Sequence, residues 1–491
     1  QEQSELRVGH MHGAGTALLS CLTLASAISP TLLLHVGAPL RVAFGSCRKQ
    51  LKPQPVWDAV AAQSPALWLW LGDAMYPKGS VTSAAQLREA YAQAGEPALR
   101  GVPVDGVYDD HDYGLNDGGV GWELKEDARQ LFLDEVVGAP ADSARRTQRG
   151  GLYGSRTLGE PPRQLKVVML DTRFGRADHA VPSPGGWSRV PKAGYLAGVT
   201  RSACALLGVG SSHSAPVLDE EQWAWLRTQL TNSTASAHLI VSSVQVLTSA
   251  AAVESWGHFP RERRRLLSLL EETRPRGALL LSGDVHYAEL AGAPRAALPP
   301  GAELLEVTSS GLTHACGLGA VGGPLCGLQH RLFASHRLPT PHDARRLLPP
   351  LPPSAVAALR ALGGPAAGAY PFLNFGSAEL RWPSDPASCE PSAPPSSPTG
   401  CGAIVVRIHH ALDGGTALEH SLPLGLTAGQ EAERWRAAQA LPTIFDAAAE
   451  LRAAVAALAG GALAAGLLCC CGCRRLARGR GRAAQRQSKR D

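Results

Sequence analysis

Residues 282–286 read Ser-Gly-Asp-Val-His and follow the apolar run 277–281, so a short buried strand ends in a carboxylate, Asp284, and an imidazole, His286. Both side-chain types bind metal ions. A single Gly-Asp turn near a histidine is as often structural. Four further apolar runs also end in polar clusters. Run 42–44 leads into Gly45-Ser46-Cys47, and run 67–71 into Gly72-Asp73-Ala74-Met75-Tyr76. Run 102–107 leads into Tyr108-Asp109-Asp110-His111-Asp112 and on to Asn116, and run 167–170 into Asp171-Thr172-Arg173. Core packing needs the apolar runs but has no use for carboxylate, thiol, phenol, imidazole and amide at their ends. The repetition therefore indicates a catalytic metal centre.

Within that set, Asp73 is the candidate to bridge two ions, because a carboxylate offers two oxygens. Tyr76, three residues later, shares its side if the loop enters a helical turn. Cys47, Asp73 and Tyr76 would bring three negative charges, which suits a trivalent ion such as ferric iron. Asn116 offers a neutral amide oxygen and, with Asp284 and His286, could complete a site for a second, harder ion. Read alone, Cys47 is equally a buried apolar thiol and Tyr76 a loop aromatic. Beside two Gly-Asp turns, the joint ligand reading is preferred.

The elements that must hold these residues are strands at 40–44, 67–71, 102–107, 164–170, 238–246, 277–281, 303–307, 377–382 and 403–409. Helical patterns lie between several of them, at 83–94, 121–137, 218–230 and 260–273. This alternation indicates an α/β layered domain. In the 218–230 helix, Asp219 is a cap, and Leu218, Gln222, Trp225, Leu226 and Leu230 share one face.

The chain has 491 residues and a net charge of +5. Much of that excess sits in the arginine-rich stretch 474–491, so there is no nucleic-acid signature in the body. Residues 11–27 resemble a secretory signal ending in Ala25-Ser26-Ala27. Residues 453–473 carry no charge and are long enough for a hydrocarbon layer of about 30 Å. With the basic tail beyond them, they read as one C-terminal transmembrane helix with a cytosolic tail. An Ala-rich helical stalk is expected at 427–452, and a surface insertion near 317–369. Cys316 with Cys326, and Cys389 with Cys401, could each close a local disulfide. Asn232-Ser233-Thr234 is a glycosylation sequon.

The ordered motifs Phe-Gly-Ser-Cys (44–47), Leu-Gly-Asp-x-x-Tyr (71–76), Asp-Asp-His-Asp-Tyr-Gly-x-Asn-Asp (109–117) and Leu-Asp-Thr-Arg (170–173) continue with Ser-Gly-Asp-Val-His-x-Ala-Glu (282–289), Glu-Val-Thr-Ser-Ser-Gly-Leu-Thr-His (306–314) and Asn-Phe-Gly (374–376). Together they resemble the PhoD-like alkaline phosphatases of the calcineurin-like metallophosphoesterase superfamily, in the eukaryotic-type branch. Tyr108 departs from the family pattern, which has Trp there. The resemblance implies a four-layer αββα sandwich spanning residues 38–425 as a monomeric catalytic domain. It makes Cys47, Asp73, Tyr76, Asn116, Asp284 and His286 metal ligands for iron and calcium. It also implies attack on phosphorus by metal-activated water. Arg173 would bind phosphoryl oxygens, with a structural ion pair as its rival reading. Asp109, Asp110 and His111 would orient ligands, and His314 would contact substrate or leaving group. Expected substrates are small phosphate monoesters, with diesters accessible. The alternatives are a phosphodiesterase or phospholipase of the same fold, and a catalytically silent membrane-anchored binding protein. The catalytic body is expected outside the cell or in a secretory lumen.

Overall fold

The structure is a computed structural model that describes residues 39–456, except 96–98, 100, 181–192, 294–297, 319–322, 324–325, 327–336, 339–367 and 383–400. The expected signal segment, most of the 317–369 insertion, Cys389 and residues 457–491 lie outside the described residues. No described helix is long and apolar enough to cross a membrane.

In the first half, strands β1 (Leu40–Gly45), β2 (Leu67–Leu71) and β3 (Val104–Val107) are joined through helices α1 (Val56–Ala62) and α2 (Ala84–Ala92). Strand β2 reads Leu-Trp-Leu-Trp-Leu and is buried throughout, as expected for a parallel strand covered on both faces. Trp68 and Trp70 meet Trp57 of α1 edge to face at 5.2 and 5.9 Å, the preferred geometry for such rings. After β3 come the short helix α3 (Asp110–Tyr113) and α4 (Lys125–Leu131), which runs into a π-helical turn at Phe132–Val137.

Next come β4 (Gly154–Leu158), β5 (Leu165–Met169), α5 (Ala193–Leu206), α6 (Glu220–Thr231), β6 (Ala237–Val241), α7 (Pro260–Thr273), β7 (Ala278–Ser282), β8 (Ala288–Gly292) and β9 (Leu304–Ser309). The chain closes with β10 (Ala369–Tyr370), β11 (Asn374–Arg381), β12 (Ala403–His410), β13 (Thr416–Pro423) and α8 (Ala428–Gln439). A six-stranded sheet has the order β13-β12-β11-β1-β2-β3, and a seven-stranded sheet the order β10-β8-β9-β7-β6-β5-β4. Apolar faces of both sheets share one core. The fold is thus mixed α/β with two sheets and helices.

Register lines up the strand ends. In the first sheet Gly45 pairs with Trp70, and Leu71 with Val107. Cys47, Asp73 and Asp109 each lie two residues past Gly45, Leu71 and Val107. In the second sheet Met169, Val241, Leu281 and Val307 are aligned across β5, β6, β7 and β9. Asp171, Ser243, Gly283 and Ser309 follow two residues later. Parallel neighbours therefore release their loops at a common edge in each sheet.

Several expectations need adjusting. In α6, Asp219 does cap, accepting from Gln222 N at 2.7 Å. Trp223, not Trp225, enters the core, held by its Nε1 hydrogen bond to Glu262 at 3.1 Å. Strands β4, β8, β10 and β13 and helices α1, α3 and α5 escaped the sequence reading. Strand β8 reads Ala-Glu-Leu-Ala-Gly, with no bulky β-former. Strand β13 is a half-exposed edge, and α5 holds two glycines within Ala193–Leu206.

The stalk at 427–452 is overturned. Thr427 caps α8 through a reciprocal box with Gln430, and the helix packs on the body. Arg434 is fully enclosed and donates to the carbonyls of Ala278, Ala302 and Leu304 at 3.0, 2.9 and 2.7 Å. Beyond it, Ile444 and Ala448 pack on Ala205 and Ala251. Cys316 and Cys326 form a disulfide, and Cys401 is also disulfide-bonded.

Candidate metal centre

The two common edges face each other, and the candidate ligands meet between them. Cys47 Sγ lies 3.5 Å from Asp73 Oδ2, 3.1 Å from Ser310 Oγ and 3.7 Å from the carbonyl of Asp284. Tyr76 donates its hydroxyl to Asp73 Oδ2 at 2.6 Å and lies 3.4 Å from His286 Nε2. The second Asp73 oxygen accepts the backbone N–H of His111 at 3.3 Å. His314 Nε2 stands 3.1 Å from His286 Nε2. Cys47, Asp73, Tyr76 and His286 therefore form one contact group, contributed by loops from both sheets.

The backbone is bent to achieve this. Cys47, Asp73, Asp117, Asp284 and His286 have φ of 65°, 53°, 55°, 68° and 61°. Left-handed conformations cost side-chain-bearing residues about 1–2 kcal/mol each, and such strain concentrates at functional sites. Two glycines permit the close approach. A Cβ on Gly72 (φ 97°) would lie 2.5 Å from Asp109 Cβ, and one on Gly283 would lie 2.5 Å from Leu71 O and Ser46 Oγ.

A second group lies beside the first. Donor atoms of Asp109, Asp110 and Asp284 converge, as do those of Asp73, Asp110 and His111, and those of Asp110, Asp117 and Glu254. Among these acids, Asp109 Oδ2, Asp110 Oδ1 and Glu254 Oε2 are buried with no hydrogen-bond partner among the described residues, and of the three only Glu254 Oε2 lies close to a cation, Arg173 at 2.9 Å. Buried polar atoms rarely go unpartnered, so the two aspartate oxygens fit a cation. Asn116 sits half-buried in the turn before Asp117, and its amide bonds no described residue.

Electrostatics point the same way. Burial, aided by Asp73, pushes the Cys47 thiol and the Tyr76 phenol up. Burial also raises Asp73 to about 7, and burial with neighbouring acids raises Asp284. Asp109 is raised by burial to about 8 against the pull of Arg173. Burial, then the positive charges of His111 and Lys49, push His286 down to about 4, and burial, then His286 and Lys49, push His314 down. A multivalent ion reverses this balance, because ligands release protons on binding it. The donor set fits bound metal.

The expectation that Arg173 binds phosphoryl oxygens is revised. Its guanidinium has no solvent exposure, donates to Asp109 Oδ1 at 2.6 Å, and pairs with Glu254 at 2.9 Å. It is held among carboxylates and orients Asp109. Ser243 gives Asp109 Oδ1 another hydrogen bond at 2.7 Å. Burial opposes ionisation of Glu254, yet Arg173 and Arg176 hold its carboxyl well below the usual range. Asp171 locks the turn, accepting from the backbone of Arg173 and Phe174 and from Tyr108 Oη at 2.9, 2.9 and 2.5 Å. Tyr108 thus serves that carboxylate.

Sequence reasoning gave no role to Glu254, Asp112 or Ser243. Asp112 accepts from the backbone N–H groups of Met75 and Asp109 at 3.0 Å each. Its place three residues after Asp109 is a capping-box spacing and was readable. Glu254 and Ser243 reach the site only through tertiary pairing.

Residues 105–318 match the PhoD-like phosphatase family. No curated protein matches the chain. Among solved structures, PhoD is similar at 15% identity and TM-score 0.45, covering 84% of this chain and 77% of that one. The anchor in the inner membrane complex of Plasmodium is similar at 12% identity and TM-score 0.42, covering 83% and 96%. A purple acid phosphatase from yellow lupin (Lupinus luteus) seeds is similar at 11% identity and TM-score 0.40, covering 79% and 54%.

Proposed function

Because the chain carries a PhoD-like phosphatase domain over residues 105–318, we propose that it is a metal-dependent phosphoric ester hydrolase acting on small phosphate monoesters, with diesters as a second class. The carrying observation is that the buried oxygens Asp109 Oδ2 and Asp110 Oδ1, beside Asp284, accept no hydrogen bond from any described residue. In this reading Cys47, Asp73, Tyr76 and His286 hold iron, while Asn116 and Asp284, with Asp109 and Asp110, hold calcium. Such ions lower the pKa of a water nucleophile and neutralise charge on phosphoryl oxygens. Asp73 lies between the two groups and serves both. Arg173 and Ser243 fix Asp109, and His111 and His314 flank the Tyr76 ring at 4.0 and 5.1 Å between centres. His314 meets the leaving group.

The two sheets and their helices are read as the four-layer αββα arrangement. The Cys316–Cys326 disulfide and bonded Cys401 support an oxidising compartment. With the apolar run 453–473 and the arginines beyond it, we place a monomeric catalytic body outside the cell or in a secretory lumen, anchored by one span.

The test uses full-length protein in detergent, analysed for metal and assayed with one monoester and one diester. Metal-dependent turnover of the monoester is expected, with visible charge-transfer absorption from iron bound to Tyr76 and Cys47. Metal-loaded protein inert towards both esters would overturn the reading in favour of a silent binding protein.

A further inference from the structure

The loop after Cys47 carries two cations that the ligand set does not use. Lys49 Nζ lies 5.2 Å from the centre of the Tyr76 ring, the ring that His111 and His314 also flank. Lys52 Nζ donates to the carbonyl of Thr313 at 3.3 Å, next to His314. The loop is fixed there, because Lys49 N donates to Thr313 Oγ1 at 2.7 Å. Arg48, which precedes them, turns inward and donates to the carbonyls of Ala74, Ala94 and Gly95. Lys49 is half-buried and Lys52 exposed. Among the described residues, neither ammonium reaches a carboxylate at ion-pair distance.

The floor of the site is anionic and buried, with Asp73 at 1% exposure and Asp109 at 0%. Bound metal would neutralise it. Positive charge at Lys49 and Lys52 then remains beside Tyr76 and Thr313. A simple counter-ion role explains Lys49, which stands near Cys47 and Asp73, but not Lys52, which faces solvent beside Thr313. Two neighbouring ammonium groups, one beside the Tyr76 ring and one beside Thr313, favour an anion between them.

We propose that Lys49 and Lys52 form a subsite for a second anionic group on the substrate, so that the preferred esters have a leaving alcohol carrying a phosphoryl or carboxylate group. The proposal rests on the phosphatase reading above and adds the substrate class. Hydrolysis breaks the bond between phosphorus and the leaving oxygen, water supplies the oxygen to phosphorus, and the leaving alcohol keeps its own anion against the lysines.

The test compares kcat/KM for matched pairs. One pair is 4-carboxyphenyl phosphate with 4-carbamoylphenyl phosphate, and the other is a hexose bisphosphate with the corresponding monophosphate. Wild type is expected to favour the charged member at least tenfold at low salt, mainly through KM, with the preference shrinking as salt rises. The pair that shows it separates carboxylate from phosphoryl. Lys49→Met and Lys52→Met together should abolish the preference, and exposed Lys52→Glu alone should reverse it without loss of metal or of the melting transition. Equal wild-type rates on both members of both pairs would overturn the proposal. So would variants that lower all four rates by one factor, which is the counter-ion outcome. No hydrolysis of any ester by metal-loaded protein would instead bring down the phosphatase reading, and the subsite with it.

Discussion

Arg173 and Asp109 join the two sheets. Arg173 follows β5 of the second sheet and Asp109 follows β3 of the first. The guanidinium places Nε and Nη2 on the same carboxylate oxygen, Oδ1, at 2.6 and 2.5 Å. Ser243 adds a third donor to that oxygen. Oδ1 is therefore saturated and Oδ2 left bare, which aims one lone-pair set of Asp109 at its neighbours Asp110 and Asp284.

Arg173→Met leaves Asp109 and Glu254 buried without their cation. Loss of one partner of a buried pair costs about 3–5 kcal/mol, readable as a lower denaturation midpoint. Arg173→Lys keeps the charge but not the planar fork. It should stay folded and lose metal affinity about 10–100-fold, the scale for a residue that orients a ligand. Metal titration of that variant is the check, and wild-type affinity would remove the orienting role.

Asp73→Asn removes one anion from the position between the two ligand groups, where Asp73 touches Cys47, Tyr76 and the N–H of His111. Turnover should fall by at least about a hundredfold, while the melting temperature changes little, because the amide keeps the carboxylate's shape. Metal analysis and single-ester kinetics on the same preparation decide it. Near-normal turnover at full metal occupancy would rule out a shared ligand.

Away from the centre, Glu379 makes the fold acid-sensitive. It takes hydrogen bonds from Arg41, Arg381 and Arg407 at 2.6, 2.5 and 3.0 Å. Burial works against its charge, but Arg41 and Arg381 hold the carboxyl down, from the usual 4.5 to about 2. A depressed folded pKa stabilises the fold above the unfolded value and loses that contribution as pH falls through the folded one. Its share is thus present above about pH 4.5 and fades towards pH 2. Melting temperature followed from pH 6 to pH 2.5 should fall less steeply in Glu379→Gln than in wild type, with the variant lower at pH 6. Parallel curves would show that other acids set the slope.

Much of the centre was legible because parallel strands give a strong local signal. Apolar runs such as Leu67–Leu71 end abruptly in Gly-Asp, and each polar terminus marks a sheet edge. What one sequence does not encode locally is which edges face each other. Asp109 and Arg173 are adjacent only because two sheets pack, so the partner of Arg173 was left between rival readings. Glu254 lay in a loop with no periodicity to assign it. Lys49 and Lys52 fall in no sequence motif, and only the fold sets them beside Tyr76 and Thr313. Ala-rich composition misled at α8, since alanine favours helix equally in a free stalk and in a packed one.

That last misreading has a direct test. Arg434 and Trp435 of α8 are fully enclosed, and Arg434 ties together the starts of β7 and β9 through Ala278 and Leu304. Glu431 accepts the backbone N–H of Gly277 at 2.7 Å and pairs with Arg434 at 2.6 Å. A helix so embedded closes the sheet edge opposite the metal centre. Truncation after residue 425 should therefore give insoluble or unfolded protein, although every candidate ligand is retained. Truncation after residue 456 should fold. Within the full chain, Trp435→Ala should cost about 3–5 kcal/mol, measured by denaturant unfolding. A soluble, cooperatively melting, metal-binding fragment ending at 425 would restore the stalk and make α8 an accessory to the body.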